Sequence, residues 1–378
     1  MIRGLRRLLS SAAIIRWNHG IPLRIQRREF RRFRDAIGMD RAEFMGYGLW
    51  DTTRPLAERM TMMSNIERRA IEYRMNPREP NLRIRNKAWT TAVLEDAGIS
   101  VGRVLCLLTL RNGIAPSTDR FIFRHGDDGV RLLLADAPAD GIVIKPDDGG
   151  SGRSVYVFRR ATPNGLEALD GTRWTVNRFR AVLATEGLWK VEQRIPQHPQ
   201  LARIAGETLG TLRLTTFRML DGTVHMAPSV WKIPIGLSGV DHFSHGVGQL
   251  AAPVDPVEGR IGPARRWFGL ERVDRHPLTG TAITGTVIPH WPAARVMAHR
   301  IADCFPELAS LAYDVAITDT GPVVIEVNPC WGERTIQAPW RQGLVQGEFR
   351  EFLEERGYGD VVNLSARNHA ASLFAPGG

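Results

Sequence analysis

The stretch from Gly141 to Phe158 constrains the fold most, because it reads as a strand, a glycine-rich loop and a second strand. The β-branched run 142–144 places Lys145 at a strand end, and Pro146 ends the ladder because it has no backbone N–H. The loop consists of Gly149, Gly150, Ser151 and Gly152. Its bare backbone N–H groups can cradle a phosphate, so we expect a hairpin over a nucleotide; a loose turn is the alternative.

The loop matches neither of the two common phosphate-binding motifs. It is not followed by the Gly-Lys-Ser/Thr that opens a helix in a P-loop. It also lacks the strand-to-helix context of a dinucleotide fingerprint. The phosphate interpretation therefore depends on residues elsewhere in the chain.

Lysine usage is the first such observation. Of the 50 basic residues only four are lysine, namely Lys87, Lys145, Lys190 and Lys232. A chain that uses arginine by default would place lysine where a compact point charge must meet a phosphate oxygen. Four randomly retained lysines are the alternative.

The net charge of +10 is concentrated at the N-terminus. Residues 1–41 contain eleven arginines and three acidic residues, so 11 − 3 = +8 of the charge lies there. No nucleic-acid module accompanies this arm, and aromatic residues are not interleaved with the basic ones, which argues against nucleic-acid binding. The arm is predicted to be a packed or solvated helix, with contact to an anionic membrane surface or a protein partner as the other interpretation.

Cysteine spacing and hydropathy indicate the compartment. The three cysteines, Cys106, Cys304 and Cys330, are odd in number and lack paired ligand spacing, which argues against a disulfide framework and a structural zinc site. No apolar run approaches the roughly 20 residues that span a bilayer. We expect a cytoplasmic protein, with peripheral attachment to the inner face of the membrane as an option for the arm.

Five segments are predicted. Residues 1–79 form the basic, mainly helical arm, and 80–140 a small α/β unit. Two α+β units follow at 141–196 and 197–345, and 346–378 is a C-terminal helix and tail. Sequence patterns predict helices over 86–97, 164–184 and 291–304, and strands over 189–196, 212–220, 224–233 and 323–327.

An acidic hairpin carries the strongest chemical signal. Asp314 lies in one predicted strand, and Glu326 and Asn328 lie in the next, after a turn at 318–321. Glu326 and Asn328 are two residues apart and therefore point to one side of their strand. Carboxylate and amide oxygens suit Mg²⁺. A structural salt bridge with Arg213 or Arg218 is the alternative.

These pieces together resemble the ATP-grasp superfamily over about residues 86–343. The resemblance rests on Asn86-Lys87 before a helix, Ile-Val-Ile-Lys-Pro with Gly-Gly-Ser-Gly, Val-Glu-Gln at 191–193, Thr-Leu-Arg-Leu at 211–214, and Asp314 with Ile-Glu-Val-Asn-Pro at 325–329. The region 240–260 is most similar to the sugar-transfer associated ATP-grasp subgroup, which is linked to cell-surface polysaccharide biosynthesis. The fold implied is α+β, with two lobes that sandwich ATP.

The resemblance also implies roles for individual residues. Lys87, Lys145 and the loop 149–152 would contact the phosphates of ATP, and Glu192, Gln193 and Ile195 would hold the adenine and ribose. Arg213 and Lys232 would stabilise the transferred phosphoryl group. Mg²⁺, or alternatively Mn²⁺, would be held by Asp314, Glu326 and Asn328. Asp241, His242 and His245 are candidate substrate residues, although histidines in a glycine-rich loop are commonly ordinary loop residues.

The implied activity is ligation of small-molecule carboxylate and amine substrates through an acyl phosphate. Two departures from the family pattern bear on it: Ala312 stands where related ligases have arginine, and His242 stands where the subgroup has asparagine. The alternatives are a phosphotransferase of the same fold and a non-catalytic nucleotide-binding scaffold at the membrane.

Overall fold

Two β-sheets with helices packed around them make up the architecture, which confirms the predicted α+β class. The computed structural model describes residues 12–372 except 14, 18, 117, 149–153, 238–248 and 268–271. The predicted loop residues Gly149, Gly150, Ser151 and Gly152 and the substrate candidates Asp241, His242 and His245 lie outside the described residues.

Helices lie at both ends of the chain and between the strands. They are α1 (Leu23–Ile37), α2 (Arg41–Gly46), α3 (Leu56–Met60), α4 (Asn65–Met75), α5 (Arg78–Ile84), α6 (Lys87–Asp96), α7 (Gly126–Ala135), α8 (Val176–Leu183), α9 (Pro199–Ala205), α10 (Trp291–Cys304), α11 (Glu333–Trp340), α12 (Gly347–Glu355) and α13 (Leu364–Ser372). None of the helices in the described ranges has the length and apolar character that crossing a membrane requires.

The first sheet has the strand order β2-β1-β7-β3-β4-β5-β6. Its strands are β1 (Val104–Thr109), β2 (Phe123–His125), β3 (Ile142–Pro146), β4 (Tyr156–Thr162), β5 (Gly165–Ala168), β6 (Arg173–Trp174) and β7 (Trp189–Gln193). Gly141, just before β3, has φ +92° and comes so close to β4 that a Cβ would lie 2.0 Å from the carbonyl oxygen of Phe158. Strands from segments 80–140 and 141–196 share this sheet, and the boundary between the two segments stays a prediction.

The second sheet is antiparallel, with the order β12-β11-β10-β8-β13-β14 and β9 beside β8. Its strands are β8 (Thr211–Arg218), β9 (Val224–Met226), β10 (Ser229–Ile233), β11 (Leu250–Val254), β12 (Arg265–Arg266), β13 (Ser310–Thr318) and β14 (Gly321–Asn328). α10 packs on it with Ala294, Ala298 and Ile301 buried against β-strand side chains in the largest apolar cluster. The acidic hairpin, β13 with β14, thus forms one edge of this sheet.

Two predicted elements were wrong. The predicted helix over 164–184 is a hairpin strand (β5), a short strand (β6) and a helix that begins only at Val176, where the Thr175 hydroxyl accepts from the backbone N–H of Arg178 at 3.2 Å. The predicted strand over 224–233 is two strands, β9 and β10, interrupted at Pro228. Proline has no N–H for a ladder hydrogen bond, which explains the break.

The N-terminal arm packs into the fold. In α1, Phe33 is fully buried, and the buried carboxylate of Glu29 accepts from Arg59 Nη1 at 2.8 Å. This helix and the segment after it cover Val230 and Ala251 of the second sheet. Because its buried face is part of a core cluster, the arm stabilises the second lobe, and only its outer face is left for other contacts.

Candidate functional site

Lys145 lies where the two sheets meet. It is the fourth residue of β3, and its side chain crosses to the second sheet, where Nζ donates to the carbonyl oxygen of Ile325 in β14 at 3.0 Å. Glu326 follows Ile325 directly. The β-branched run before Lys145 forms the buried strand that carries it, as its pattern predicts. This contact ties the glycine-loop hairpin to the acidic hairpin.

The same Lys145 ammonium group also contacts a buried carboxylate, which lies between two lysines. Glu192 of β7 accepts from Lys145 Nζ at 2.7 Å and from Lys190 Nζ at 2.8 Å. Lys190 also donates to the hydroxyl of Thr91 in α6. Burial lowers the pKa of Lys190 to about 8. Burial alone would raise the pKa of Glu192, but the two lysines hold that pKa below its ordinary value.

Lys87 begins α6 and faces the acidic hairpin, with Nζ 3.7 Å from Glu326 Oε1. Its backbone is fixed by Asp147, two residues after Lys145: the Asp147 carbonyl accepts from the Lys87 N–H at 2.9 Å, and its carboxylate accepts from the Ala88 N–H at 2.8 Å. Burial lowers the pKa of Lys87, while Glu326 acts in the opposite direction. One strand end therefore positions both lysines predicted to contact phosphates.

The acidic hairpin contains a register shift between Asp314 and Val315 that sets which residues face one another. Asp314 of β13 is directly opposite Glu326 of β14, and Asn328 is opposite Ala312. Glu326 and Asn328 are two residues apart on one strand, so their side chains share a face with Asp314. Asp314 is nearly buried, whereas 27% of the Glu326 side chain is exposed.

Two cations converge on Asp314. Lys232 Nζ of β10 is 2.9 Å from Asp314 Oδ1, and Arg213 Nε of β8 is 3.3 Å from the same oxygen. Arg213 is also opposite Asp314 in the β8–β13 register. The ion pair with Arg213 that the structural alternative predicts is therefore present. Arg218, the other arginine of that alternative, pairs with Asp303 at 3.1 Å instead.

The donor set of the hairpin fits a hard divalent cation. Asp314, Glu326 and Asn328 offer two carboxylates and one amide carbonyl on one face, and Mg²⁺ takes oxygen ligands and keeps several waters when it carries phosphates. Within the described ranges, no three His, Cys, Asp or Glu side chains come together as a metal site. A cation here would rely on the amide and on ligand oxygens as well as the two carboxylates.

The remaining predicted nucleotide residues lie at the end of β7. Gln193 Nε2 donates to Asp140 Oδ2 at 3.2 Å, and Ile195 follows the strand, partly exposed. The Glu192 carboxylate is already held by two lysines, so its predicted contact with adenine or ribose stays a prediction.

Sequence reasoning gave no role to Lys190 or to Asp147. The spacing Lys190-x-Glu192 places both side chains on one face of a strand, and this signal could have found Lys190. Asp147 follows a strand-ending proline, and nothing in the sequence links it to a helix start 60 residues earlier.

Comparison with known proteins gives a family match. The family model described as sugar-transfer associated ATP-grasp matches residues 67–350. No curated protein matches this chain.

Several solved structures are similar at low identity. D-alanyl-alanine synthetase A from Vibrio cholerae is 14% identical with a TM-score of 0.41, over 79% of this chain and 68% of that one. D-alanine–D-alanine ligase from Bacillus anthracis is 13% identical with a TM-score of 0.38, over 81% and 76%. The ADP complex of N5-carboxyaminoimidazole ribonucleotide synthetase is 13% identical with a TM-score of 0.39, over 66% of this chain and only 45% of that one.

These TM-scores are too low to support an argument, so the assignment rests on the family model. That model covers well over half of the 378 residues, from 67 to 350, and includes both sheets and the acidic hairpin. The chain belongs to the sugar-transfer associated ATP-grasp family.

Proposed function

We propose that this protein is an ATP-dependent ligase that joins a small-molecule carboxylate to an amine, in the biosynthesis of a cell-surface polysaccharide or envelope precursor. The observation that carries the proposal is the meeting of Lys87 and Lys145 with the Asp314/Glu326 hairpin across the two sheets. Two lysines that could bind phosphate oxygens thus lie beside a hairpin whose two carboxylates could bind a cation.

The chain's own residues supply positioning and charge. Lys87 and Lys145 would bind ATP phosphates, the loop 149–152 would cover them, and Gln193 and Ile195 would border the base. Asp314, Glu326 and Asn328 would hold Mg²⁺ or Mn²⁺, which when bound neutralises charge on the phosphates. Lys232 and Arg213, already placed at Asp314 within 3.3 Å, would stabilise charge on the transferred phosphoryl group.

The reaction proposed has two steps. A substrate carboxylate oxygen takes the γ-phosphoryl group as the bond to ADP breaks, which gives an acyl phosphate. The amine then attacks the acyl carbon, phosphate leaves with the bonding electron pair, and the amine loses a proton. No side-chain nucleophile is required, and positioning together with electrostatic stabilisation can lower the barrier.

Product analysis tests the proposal. Purified protein is incubated with Mg·ATP and pooled carboxylates and amines, and the products are identified by mass spectrometry. We expect ADP, phosphate and an amide whose formation needs both pools. A stable phosphorylated product without an amide would establish the phosphotransferase alternative, and nucleotide binding without any turnover of these pools would favour the scaffold.

We further propose that the outer face of α1 binds an anionic membrane surface and places the enzyme at the inner face of the membrane. Six arginines, at 24, 27, 28, 31, 32 and 34, occupy the face opposite Gln26, Glu29 and Phe33, which are buried. Arg28 and Arg32 share Glu29, whereas Arg24, Arg27 and Arg31 have no acidic partner within 4 Å among the described residues. Trp17, 89% exposed beside Arg16, suits the headgroup region.

Changing Arg24, Arg27 and Arg31 together to glutamine should weaken binding to vesicles with anionic lipid about 100-fold, at about 1 kcal/mol per arginine. Binding is measured by vesicle flotation, with neutral phosphatidylcholine vesicles as reference. The matched control changes Arg131, Arg173 and Arg203, three exposed arginines elsewhere, to glutamine. Equal loss in both variants, or equal binding to neutral vesicles, contradicts the proposal; binding to RNA but not to vesicles would identify nucleic acid as the partner.

A further inference from the structure

The acidic hairpin ends, on the side away from its turn, at the pair Ala312 and Asn328. Ser310 and Pro329 lie just beyond this pair. Pro329 has no N–H, so it cannot donate a further ladder hydrogen bond between the two strands. Ser310 is 1% exposed, and buried backbone groups are normally paired. The end of the hairpin that carries Asn328 therefore needs a partner from outside the two strands.

Asn76, from the N-terminal arm, supplies this partner. Its Nδ2 donates to the carbonyl oxygen of Ser310 at 2.9 Å and to that of Pro329 at 3.1 Å. Its Oδ1 accepts from the backbone N–H of Ser310 at 3.2 Å. A carboxamide carries the same donor and acceptor groups as a peptide unit, so this side chain takes the place of a missing strand residue. At 3% exposure, Asn76 holds these backbone groups away from water.

The helix α4 holds both ends of the connection 329–332, which joins the hairpin to α11. Asn76 follows α4 with φ −104° and ψ 122°, the extended conformation that a following proline, here Pro77, favours. The helix therefore ends there, and the Asn76 side chain turns towards the hairpin. One end of the connection is bound by Asn76, and at the other end Arg68 of α4 pairs with the buried Glu333.

We propose that Asn76 is a positioning residue for the cation site: it fixes the end of the hairpin so that the Asn328 carboxamide lies on the same side as Asp314 and Glu326. Asn76 acts through the backbone of Pro329, the residue next to Asn328. The inference rests on the proposed function for the presence of the cation, and on the three hydrogen bonds for the role of Asn76. It gives the N-terminal arm a part in metal binding.

The test measures how much Mg²⁺ tightens the binding of a non-hydrolysable ATP analogue to the full-length protein. The dissociation constant is determined by calorimetry in saturating Mg²⁺ and again in EDTA, and the ratio of the two constants reports the contribution of the cation. Asn76→Asp keeps the shape of the side chain but places an acceptor against two carbonyl oxygens. We expect it to lower the ratio about tenfold, the usual effect of losing a group that orients a metal ligand. The affinity in EDTA should be unchanged, because Lys87 and Lys145 are untouched.

A double-mutant cycle separates positioning from general loosening of the fold. In an Asn328→Ala background, Asn76→Asp should change the ratio by less than about twofold, because the ligand that it orients is gone. A substitution that merely loosened the second sheet would lower the ratio in both backgrounds. Asn76→Ala, which buries no additional charge, serves as the second variant should Asn76→Asp fail to fold.

Gln337→Glu is the matched control, because it makes the same change from amide to carboxylate in another buried contact between the arm and α11. Gln337 Oε1 accepts from the Met63 N–H at 2.8 Å, and its Nε2 donates to the Met63 carbonyl at 2.9 Å. This variant should have a lower melting temperature than wild type but the same Mg²⁺ ratio.

Two results would overturn the inference alone: a wild-type ratio in both Asn76 variants while Asn328→Ala lowers it, or an equal loss in Gln337→Glu. Either would leave Asn76 a packing contact and the proposed cation site intact. A wild-type protein in which Mg²⁺ does not tighten analogue binding gives a different result, because it removes the cation from the proposed function and the positioning role with it.

Discussion

Asp314→Asn is expected to lower ATP turnover by about 10²- to 10³-fold, the usual cost of removing a group that stabilises charge at a reacting centre. The substitution keeps the size of the side chain but removes the charge that Lys232 and Arg213 face at 2.9 and 3.3 Å. It also removes one of the two carboxylates available to a cation. The measurement is kcat for ADP release at saturating Mg·ATP, with circular dichroism to confirm folding.

Asp303→Asn is the matched control, because Asp303 is an exposed carboxylate whose ion pair with Arg218 lies away from the site. Surface pairs of this kind contribute little, so its turnover should stay close to that of wild type. The same experiment separates the catalytic interpretation of Asp314 from the structural one. If Asp314→Asn lowers the melting temperature but leaves turnover intact, the carboxylate serves only as the partner of Arg213 and Lys232.

Local patterns predicted most of the hairpin chemistry. The two strands and the tight turn that carry Asp314 and Glu326 follow from local pattern, but the register set by the turn would place Asp314 opposite Ile325. A bulge between Asp314 and Val315 shifts the register by one residue and brings Glu326 opposite Asp314. The start of α6 at Lys87 could likewise be predicted, since Asn86 is a good N-cap residue and its side chain accepts from the Trp89 N–H at 2.8 Å. In both places the residues that decide the structure are neighbours in sequence.

The remaining features depend on contacts between distant segments. Asp147 caps a helix about 60 residues before it, and Arg54 donates to the backbone carbonyl of Arg341, 287 residues later. No periodicity in the sequence reports such contacts. The helix predicted over 164–184 failed for a different reason: Gly165 and Leu166 pair with Thr162 and Ala161 across a two-residue turn at 163–164, and the helical interpretation overlooked this local hairpin.

The N-terminal arm also contains a contact between distant segments that sequence patterns do not report. Its arginines could be counted in the sequence, but the buried pair of Glu29 with Arg59 could not be read from it. Burial of Glu29 and Phe33 divides the helix into a face fixed in the core and a face of arginines. Six of the eleven arginines counted in residues 1–41 thus lie on one side of a packed helix.

Glu192→Gln is expected to destabilise the protein by about 3–5 kcal/mol, the usual cost of removing one partner from a buried ion pair. Glu192 is the carboxylate between Lys145 and Lys190, and without it two ammonium groups remain buried side by side. Lys145 would lose the contact that directs it towards β14, so ATP affinity should fall as well. Urea denaturation and equilibrium binding of an ATP analogue measure the two effects.

Lys190→Met tests whether the charge of Lys190 or its packing matters more in the buried group formed by Lys145, Glu192 and Lys190. It leaves one lysine paired with Glu192, so the buried group becomes neutral, and at pH 7 the stability should be unchanged or higher. The pKa of Lys190 is about 8 in the folded protein against an ordinary 10.5, so the unfolded chain binds more protons between these values. This lysine therefore makes wild-type stability rise with pH from about 8 to 10.5, and the variant should lack that rise. A large loss of stability at pH 7 in Lys190→Met would show that the bond to Thr91 outweighs the cost of the second buried charge.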